Sequence, residues 1–217
     1  MKQLFSIFKT VKMKIFIIAT SLIIGPLLLV QLYTTMSISK TQTQAYKVIQ
    51  VEKDFEIRFY PAMTMATITS SAKTYKELGS SGFKKLAGYI FGGNSTKQKI
   101  AMTSPVYMNI NDSVSTMSFV MPAQYHKDNL PKPNNSEVKI ETTANEYVAA
   151  ITFGGFASTK DINENKQKLE SALKAKSISY YGNFRYLGYN PPYQLFGRKN
   201  EIIISVNQDF KQINTSK

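Results

Sequence analysis

The sequence predicts an α+β domain: an antiparallel sheet or open barrel carrying two helices related by a pseudo-twofold repeat, preceded by one N-terminal transmembrane helix. Three observations predict it. An uncharged run follows a lysine-rich leader, strand-like and helix-like periods alternate twice along the remaining chain, and sliding the chain by 86 residues superimposes the two rounds.

The membrane element comes first. Between Ile15 and Tyr33 runs IFIIATSLIIGPLLLVQLY, 19 residues without a charge. As a helix it rises about 28 Å, enough to match the hydrocarbon core of a bilayer. Lys2, Lys9, Lys12 and Lys14 precede it and no lysine follows until Lys40. The positive-inside bias therefore leaves residues 1–14 as a basic cytoplasmic leader and carries everything after Tyr33 to the periplasmic or extracellular side. Pro26 is tolerated in a membrane helix. The competing reading is a cleaved signal peptide with Ser37-Ile38-Ser39 as the small-x-small site, which would release a secreted domain. The long apolar run and long leader favour a retained anchor over residues 15–33. Residues 34–45, TTMSISKTQTQA, are small, polar and aperiodic and read as a tether. The folded domain is expected over residues 46–208, with 209–217 as a tail.

Within that domain YKVIQVEKDFEIRFY alternates around the Lys53-Asp54 turn, and Met63 to Thr69 is a further strand. Thr74 to Phe91 changes period, with Leu78, Phe83, Leu86 and Ile90 on one helical stripe ended by Gly92-Gly93-Asn94. SPVYMNI and STMSFVM then form a hairpin around Asn111-Asp112. The second round runs from EYVAAITF through a helix over Asp161 to Ser177, carrying Ile162, Leu169, Ala172 and Leu173. It ends in YQLF and EIIISV, a hairpin around Gly197 to Asn200. At an offset of 86 residues Met63–Thr69 falls on Ala149–Gly155, Thr74–Gly92 on Lys160–Ile178, Pro105 and Tyr107 on Pro191 and Tyr193, and Met117–Val120 on Ile203–Val206. A strand-helix-strand-strand unit cannot cover its own sheet, so it is expected to pair with its copy.

Composition narrows the chemistry. The 217 residues contain no cysteine and one histidine, His126, which excludes disulfides, thiolate nucleophiles, Fe–S clusters, Cys-ligated zinc and bis-histidine haem ligation within one chain. The net charge of +13 divides into five lysines without an acid in residues 1–40 and a moderately basic remainder of +8. That remainder could meet anionic lipid headgroups near the anchor. Ser-x-x-Lys occurs six times without Lys-Thr-Gly or Ser-Asp-Asn beside it, the frequency expected of coincidence in a chain rich in both residues. Glu52, Asp54 and Glu56 share a strand face with Lys53 and Arg58 around them, and read as an exposed face. His126 sits in the proline-punctuated loop MPAQYHKDNLPKP and reads as solvated more readily than as a metal ligand. No phosphate-binding glycine loop and no acid/base pair stands out, so the domain is expected to bind rather than catalyse. An exported domain without an aromatic-basic motif is expected to take no nucleic acid.

The blocks GYIFGGNSTKQKIAMTSPVYM (Gly88–Met108), SFVMPAQY (Ser118–Tyr125), NLPKP (Asn129–Pro133), FGGFAS (Phe153–Ser158) and LGYNPPYQLFGRKNEI (Leu187–Ile202) resemble the signature blocks of the SOUL haem-binding protein family, in order and over most of the exported part. The resemblance implies a distorted antiparallel β-barrel of about eight strands with two flanking helices, similar to bacterial effector-binding domains. It also implies binding of haem or free porphyrin. With His126 in a loop and no axial group placed opposite the first helix, that binding is expected to be non-covalent and without strong axial ligation, and with the anchor the protein is expected to be a membrane-tethered carrier, buffer or scavenger. The alternative is an effector-binding-like module for another amphipathic ligand or a protein partner. The family is thought to hold the ring against the first helix and the nearby C-terminal hairpin. On this chain the matching helix positions are Ser80, Phe83, Ala87 and Gly88, where the family's methionines and arginine are absent. The residues themselves offer Phe83, Leu86, Ala87 and Phe91 as apolar wall beside Lys84 and Lys85, and Tyr193, Arg198 and Lys199 on the hairpin. A tetrapyrrole needs such a wall for its face and cations for its propionates.

Overall fold

The computed structural model describes residues 13–26, 29–31, 33, 41–111 and 113–207. Most of the expected leader, the tether before residue 41, Asp112 of the hairpin turn and the expected tail lie outside the described residues. The chain divides into two compact units, residues 1–40 with 192–195 and residues 41–191 with 196–217. In the first, helix α1 (Met13–Gln31) is 19 residues long with a mean hydropathy of 2.3, long and apolar enough to cross a membrane by length and composition.

The second unit holds the sheet and two helices. Its strands are β1 (Gln42–Thr43), β2 (Lys47–Val51), β3 (Glu56–Tyr60), β4 (Thr64–Ser70), β5 (Thr103–Ser104), β6 (Val106–Asn109), β7 (Ser115–Val120), β8 (Lys139–Thr142), β9 (Glu146–Gly154), β10 (Tyr180–Gly188) and β11 (Lys199–Val206). Helix α2 (Tyr75–Ile90) follows β4, and helix α3 (Thr159–Ala175) follows β9. β1 and β5 form a short parallel pair, and the other nine strands form one antiparallel sheet in the order β2-β3-β9-β11-β10-β6-β7-β4-β8.

The sheet is not a closed barrel, which corrects the eight-stranded barrel that the resemblance implied. β2 and β8 end it as unpaired edges. Both are short and carry charge (Lys47; Lys139 and Glu141), which is how open sheets resist edge-to-edge pairing. The order nevertheless reads alike from both sides, β3-β9-β11-β10 against β8-β4-β7-β6, with β10 and β6 paired at the centre. The constant 86-residue offset does not hold. Ile68 pairs with Met117, and Ala150 with Ile203, so the first strands correspond at 82 residues when the last correspond at 86. The N-caps Thr74 and Ser158 stand 84 apart.

The second hairpin also differs from the expectation. YQLF is not a strand, and the partner of β11 is β10, which ends before Pro191-Pro192. Two successive prolines remove two ladder donors, and the register shift between Tyr181 and Arg185, where Gly182 has φ +76°, hides the alternation of β10.

Three apolar clusters hold the layers. Beneath α3 lie Ile57, Leu169, Leu173, Ile202 and Ile204, and beneath α2 lie Ile68, Leu78, Leu86, Ile90, Met117 and Phe119. The opposite face of the sheet buries Tyr60, Tyr107, Val148, Leu187 and Ile203. Ile202 and Ile204 face α3 while Ile203 faces away, which is why β11 reads as an unbroken apolar run. Each such isoleucine or leucine contributes about 1.5–3 kcal/mol by leaving water.

Candidate functional site: the outer face of helix α2

Helix α2 begins where the Thr74 hydroxyl accepts from the Glu77 amide at 3.2 Å, while the Glu77 carboxylate accepts from the Lys73 amide at 3.1 Å. It ends at Phe91, followed by Gly92 at φ +108°, a conformation glycine adopts without strain. The turn beyond is tied back by Asn94, whose side-chain amide donates to Tyr89 O at 3.0 Å and Gln98 O at 2.7 Å. Gly93 approaches the helix so closely that a Cβ there would lie 2.6 Å from Gly88 O.

Leu78, Gly82, Leu86, Tyr89 and Ile90 turn inward. Ser80, Phe83, Lys84, Gly88 and Phe91, spaced at three and four, are exposed and form one stripe on the other side, with the buried Ala87 among them. The sequence placed Phe83 on the core stripe with Leu78, Leu86 and Ile90. Instead it is 42% exposed, anchored by an edge contact to buried Phe119 with ring centroids 5.2 Å apart. Phe91 is 64% exposed, and Ala87 is buried between them. Beside the stripe, Ser81, Lys84, Lys85, Gly88, Gly93 and Asn135 border an open groove of about 570 Å³. A Cβ built on Gly88 would meet nothing within 4 Å, so the groove runs up to the helix backbone. Lys85 is held by Glu137 at 2.6 Å, whose carboxyl is lowered chiefly by that hydrogen bond, whereas Lys84 enters no ion pair among the described residues.

The hairpin residues lie elsewhere. Arg198 stacks over Phe156 at 4.3 Å and donates to Pro191 O at 2.7 Å. Lys199 turns to the face opposite the helices, where its ammonium meets Glu201 at 3.0 Å and lies over the Tyr189 ring at 4.3 Å. Tyr193 is exposed in the loop between β10 and β11, within the four residues that group with the N-terminal unit. His126 is exposed at the start of the short 3-10 turn Lys127–Asn129, where its amide donates to the Asn129 side-chain carbonyl at 2.7 Å. Among the described residues no three His, Asp or Glu side chains gather as a metal site.

Sequence reasoning missed a buried charge cluster. Arg58, read as part of an exposed face, is 3% exposed and meets the fully buried Glu201 carboxylate at 3.0 Å and Glu56 at 2.7 Å. Glu201 also accepts from Tyr189 at 2.6 Å and Thr152 at 3.1 Å. Burial alone would raise the Glu201 carboxyl, but Arg58, the Tyr189 hydroxyl and Lys199 together carry it below the usual range. Burial also pushes the Tyr60 hydroxyl up to about 12, against the opposing hydrogen bond from Arg58. The sequence signal was weak: β3 carries Glu56 and Arg58, β11 carries Lys199 and Glu201, and nothing local pairs positions 143 residues apart.

An open antiparallel sheet of two like halves, with two helices on one face and an exposed aromatic stripe on one of them, defines a duplicated α+β domain. The same fold occurs in the EcmrR C-terminal domain (TM-score 0.56, 7% identity, 70% of this chain and 96% of that one) and in a hydrolase from Listeria innocua (TM-score 0.53, 9% identity, 73% and 94%). The chain belongs to the SOUL heme-binding protein family, whose model matches residues 41–205. It is similar to Heme-binding protein 1 of Xenopus laevis, with 32% identity over 162 residues covering 70% of this chain and 84% of that one. It is also similar to Heme-binding protein 2 of Mus musculus (32%; 68% and 76%) and of Homo sapiens (30%; 73% and 81%).

Proposed function

We propose that this protein binds haem or free porphyrin non-covalently against the outer face of α2, as a membrane-tethered carrier, buffer or scavenger. The observation that carries the reading is the pair of exposed rings, Phe83 and Phe91, flanking Ala87 and Gly88 beside Lys84, which is in no ion pair among the described residues. Aromatic rings left in water on a helix whose inner face is already buried invite a flat apolar partner. The open side of Gly88 lets that partner approach the backbone, and Lys84 would meet a propionate. Ser80 borders the stripe, and Arg198 is the hairpin cation on the helix side of Lys199. Haem, when bound, would supply redox and ligand-binding chemistry at its iron, while the residues of α2 would bind and orient the ring. Membership of the family and the names of the similar proteins support the ligand class.

The length and hydropathy of α1, with the lysines before it, support an anchor that leaves the N-terminus in the cytoplasm and the sheet domain outside. The test uses the full-length chain in lipid nanodiscs, titrated with hemin and with protoporphyrin while absorbance and tyrosine fluorescence are followed. Replacing both rings, Phe83→Ala with Phe91→Ala, is expected to weaken binding about tenfold, since two stacking contacts are together worth about 1–3 kcal/mol. His126→Ala is expected to leave the Soret band in place. No response to either porphyrin at micromolar concentration overturns the reading, and an affinity unmoved by the double substitution removes the ring from α2.

A further inference from the structure

The groove beside α2 has a second wall. Residues 131–137 run past the C-terminal end of the helix and are fixed to it: the Tyr89 hydroxyl donates to Pro131 O at 2.9 Å, the Ser95 amide to Lys132 O at 2.9 Å, and the Asn134 amide to Gly93 O at 3.1 Å. Among the described residues that line the groove, Lys84 and Lys85 carry the only charges, with Asn134 and Asn135 beside them. Glu137 stands two residues beyond Asn135, and its amide donates to the Asn135 side-chain carbonyl at 2.9 Å. The next residue, Val138, is buried in the apolar cluster beneath α2. The backbone at Glu137 is therefore pinned on both sides. Its carboxylate, on a side chain 52% exposed, reaches over to the Lys85 ammonium at 2.6 Å.

That contact shows that the Lys85 ammonium meets a carboxylate at the rim of the groove. It is also replaceable, because an ion pair between partly exposed side chains contributes little, and breaking it requires only that the Glu137 side chain turn to solvent. A carboxylate carried by a ligand has the same ammonium within reach, so the protein's own acid and the ligand's acid compete for one cation. We propose that Glu137 is an internal competitor at the tetrapyrrole site: it occupies Lys85 in the free protein and is displaced by the second carboxylate of a ring whose two acids lie on one edge. The inference rests on the tetrapyrrole reading of α2. Lys84 receives the first carboxylate, while at Lys85 one exposed ion pair replaces another and the exchange returns about what it costs. The site thus gains from one of the ligand's two acids, which suits a carrier or buffer whose ligand must leave.

The test titrates the full-length chain in nanodiscs with deuteroporphyrin, which carries two propionates on one edge, and with its uncharged dimethyl ester. Each probe is compared between variants in the same lipid, so its partition into the disc cancels. Glu137→Gln, an exposed substitution that keeps the shape and removes the charge, is expected to tighten deuteroporphyrin about threefold, the scale of one exposed ion pair, and to slow its dissociation by a similar factor. The ester is expected to bind both proteins alike. In a Lys85→Gln background the same change is expected to gain nothing, because no ammonium remains to be freed. Deuteroporphyrin affinity that Glu137→Gln leaves unmoved, a gain shared by the ester, or a gain that persists without Lys85 overturns the proposal and leaves the tetrapyrrole reading standing. A wild type that ignores deuteroporphyrin, or an affinity that Phe83→Ala with Phe91→Ala does not weaken, overturns the tetrapyrrole reading of α2 and this proposal with it.

Discussion

Removing the Glu201 carboxylate isolates what the buried charge cluster contributes. In Glu201→Leu, Arg58 stays 3% exposed and loses its 3.0 Å partner, retaining only Glu56, whose side chain is 34% exposed. Stranding one member of a buried pair costs about 3–5 kcal/mol, and the retained Glu56 puts the expected loss near the lower end, about 3 kcal/mol. For a domain of this size that lowers Tm by roughly 6–12 °C. Arg58→Met should cost somewhat less, because Glu201 keeps Lys199 at 3.0 Å, Tyr189 and Thr152. The double variant Arg58→Met/Glu201→Leu strands neither charge and is expected to recover most of the loss, to within about 2 kcal/mol of the wild type. The assay is thermal unfolding of the full-length chain in mild detergent, followed by near-ultraviolet tyrosine dichroism. A double variant whose loss equals the sum of the single losses would falsify the reasoning, since the two charges would then be uncoupled. The same carboxylate sets an acid limit. Its folded pKa is lowered, so its contribution is fully present above the unfolded value of about 4.3 and is lost as pH falls through the folded value. Glu201→Gln should therefore flatten the fall in Tm below about pH 4 relative to the wild type.

Two further substitutions probe the groove and the topology. Gly93→Ala places a Cβ against the backbone at Gly88, 2.6 Å from its oxygen and 3.0 Å from its carbonyl carbon, so the chain must shift. A loss of about 1–3 kcal/mol is expected, together with weaker hemin binding; an unchanged Tm would mean that the turn is free to move. Because the chain has no cysteine, Asp54→Cys in the turn between β2 and β3 creates a single label site. A membrane-impermeant maleimide added to intact cells (or to spheroplasts, where an outer membrane intervenes) should modify it in the membrane fraction. Modification only after lysis would reverse the proposed orientation, and label confined to the medium would make α1 a cleaved signal.

Much of the fold was legible because it is local. The periods of β2, β3, β7, β9 and both helices stand in the sequence, and the stop at Gly92 is a single-residue signal. What was hidden is long-range. Whether β2 finds β8 and closes the sheet is decided by accumulated twist and by charges at the two edges, and no residue announces it. β10 was missed because Gly182 breaks its alternation, and its place was given to YQLF on the far side of two prolines. The α2 stripe was legible as helical spacing, but the spacing could not show that Phe83 faces out. Lys199 looked like a neighbour of Arg198 in the same site, yet adjacent residues on a strand point to opposite faces, and its ammonium went to Glu201. Gln44, buried with its Oε1 accepting from the Tyr107 hydroxyl, was read as tether because polar residues without a period carry no sign of burial.

The likeness of the two halves bears on why a ligand is proposed at α2. Aligning the helices on their caps, Thr74 on Ser158, brings Ser80, Phe83, Lys84, Ala87, Gly88 and Phe91 onto Glu164, Gln167, Lys168, Ser171, Ala172 and Ala175. The two helices occupy equivalent places in the fold, each packed by one face on its own half of the sheet. The fold therefore places no requirement for aromatic side chains on the outer face, since α3 meets the same demand with Glu164, Gln167 and Lys168 in the corresponding positions. α3 also carries the ion pairs Lys160–Glu164 and Lys174–Glu170, the dress of a solvated helix. Exposed Phe83 and Phe91 cost solubility without stabilising the core as a buried ring would, and α3 shows that the scaffold can do without them. A role outside folding accounts for that asymmetry, and the flat apolar ligand proposed for α2 would supply one.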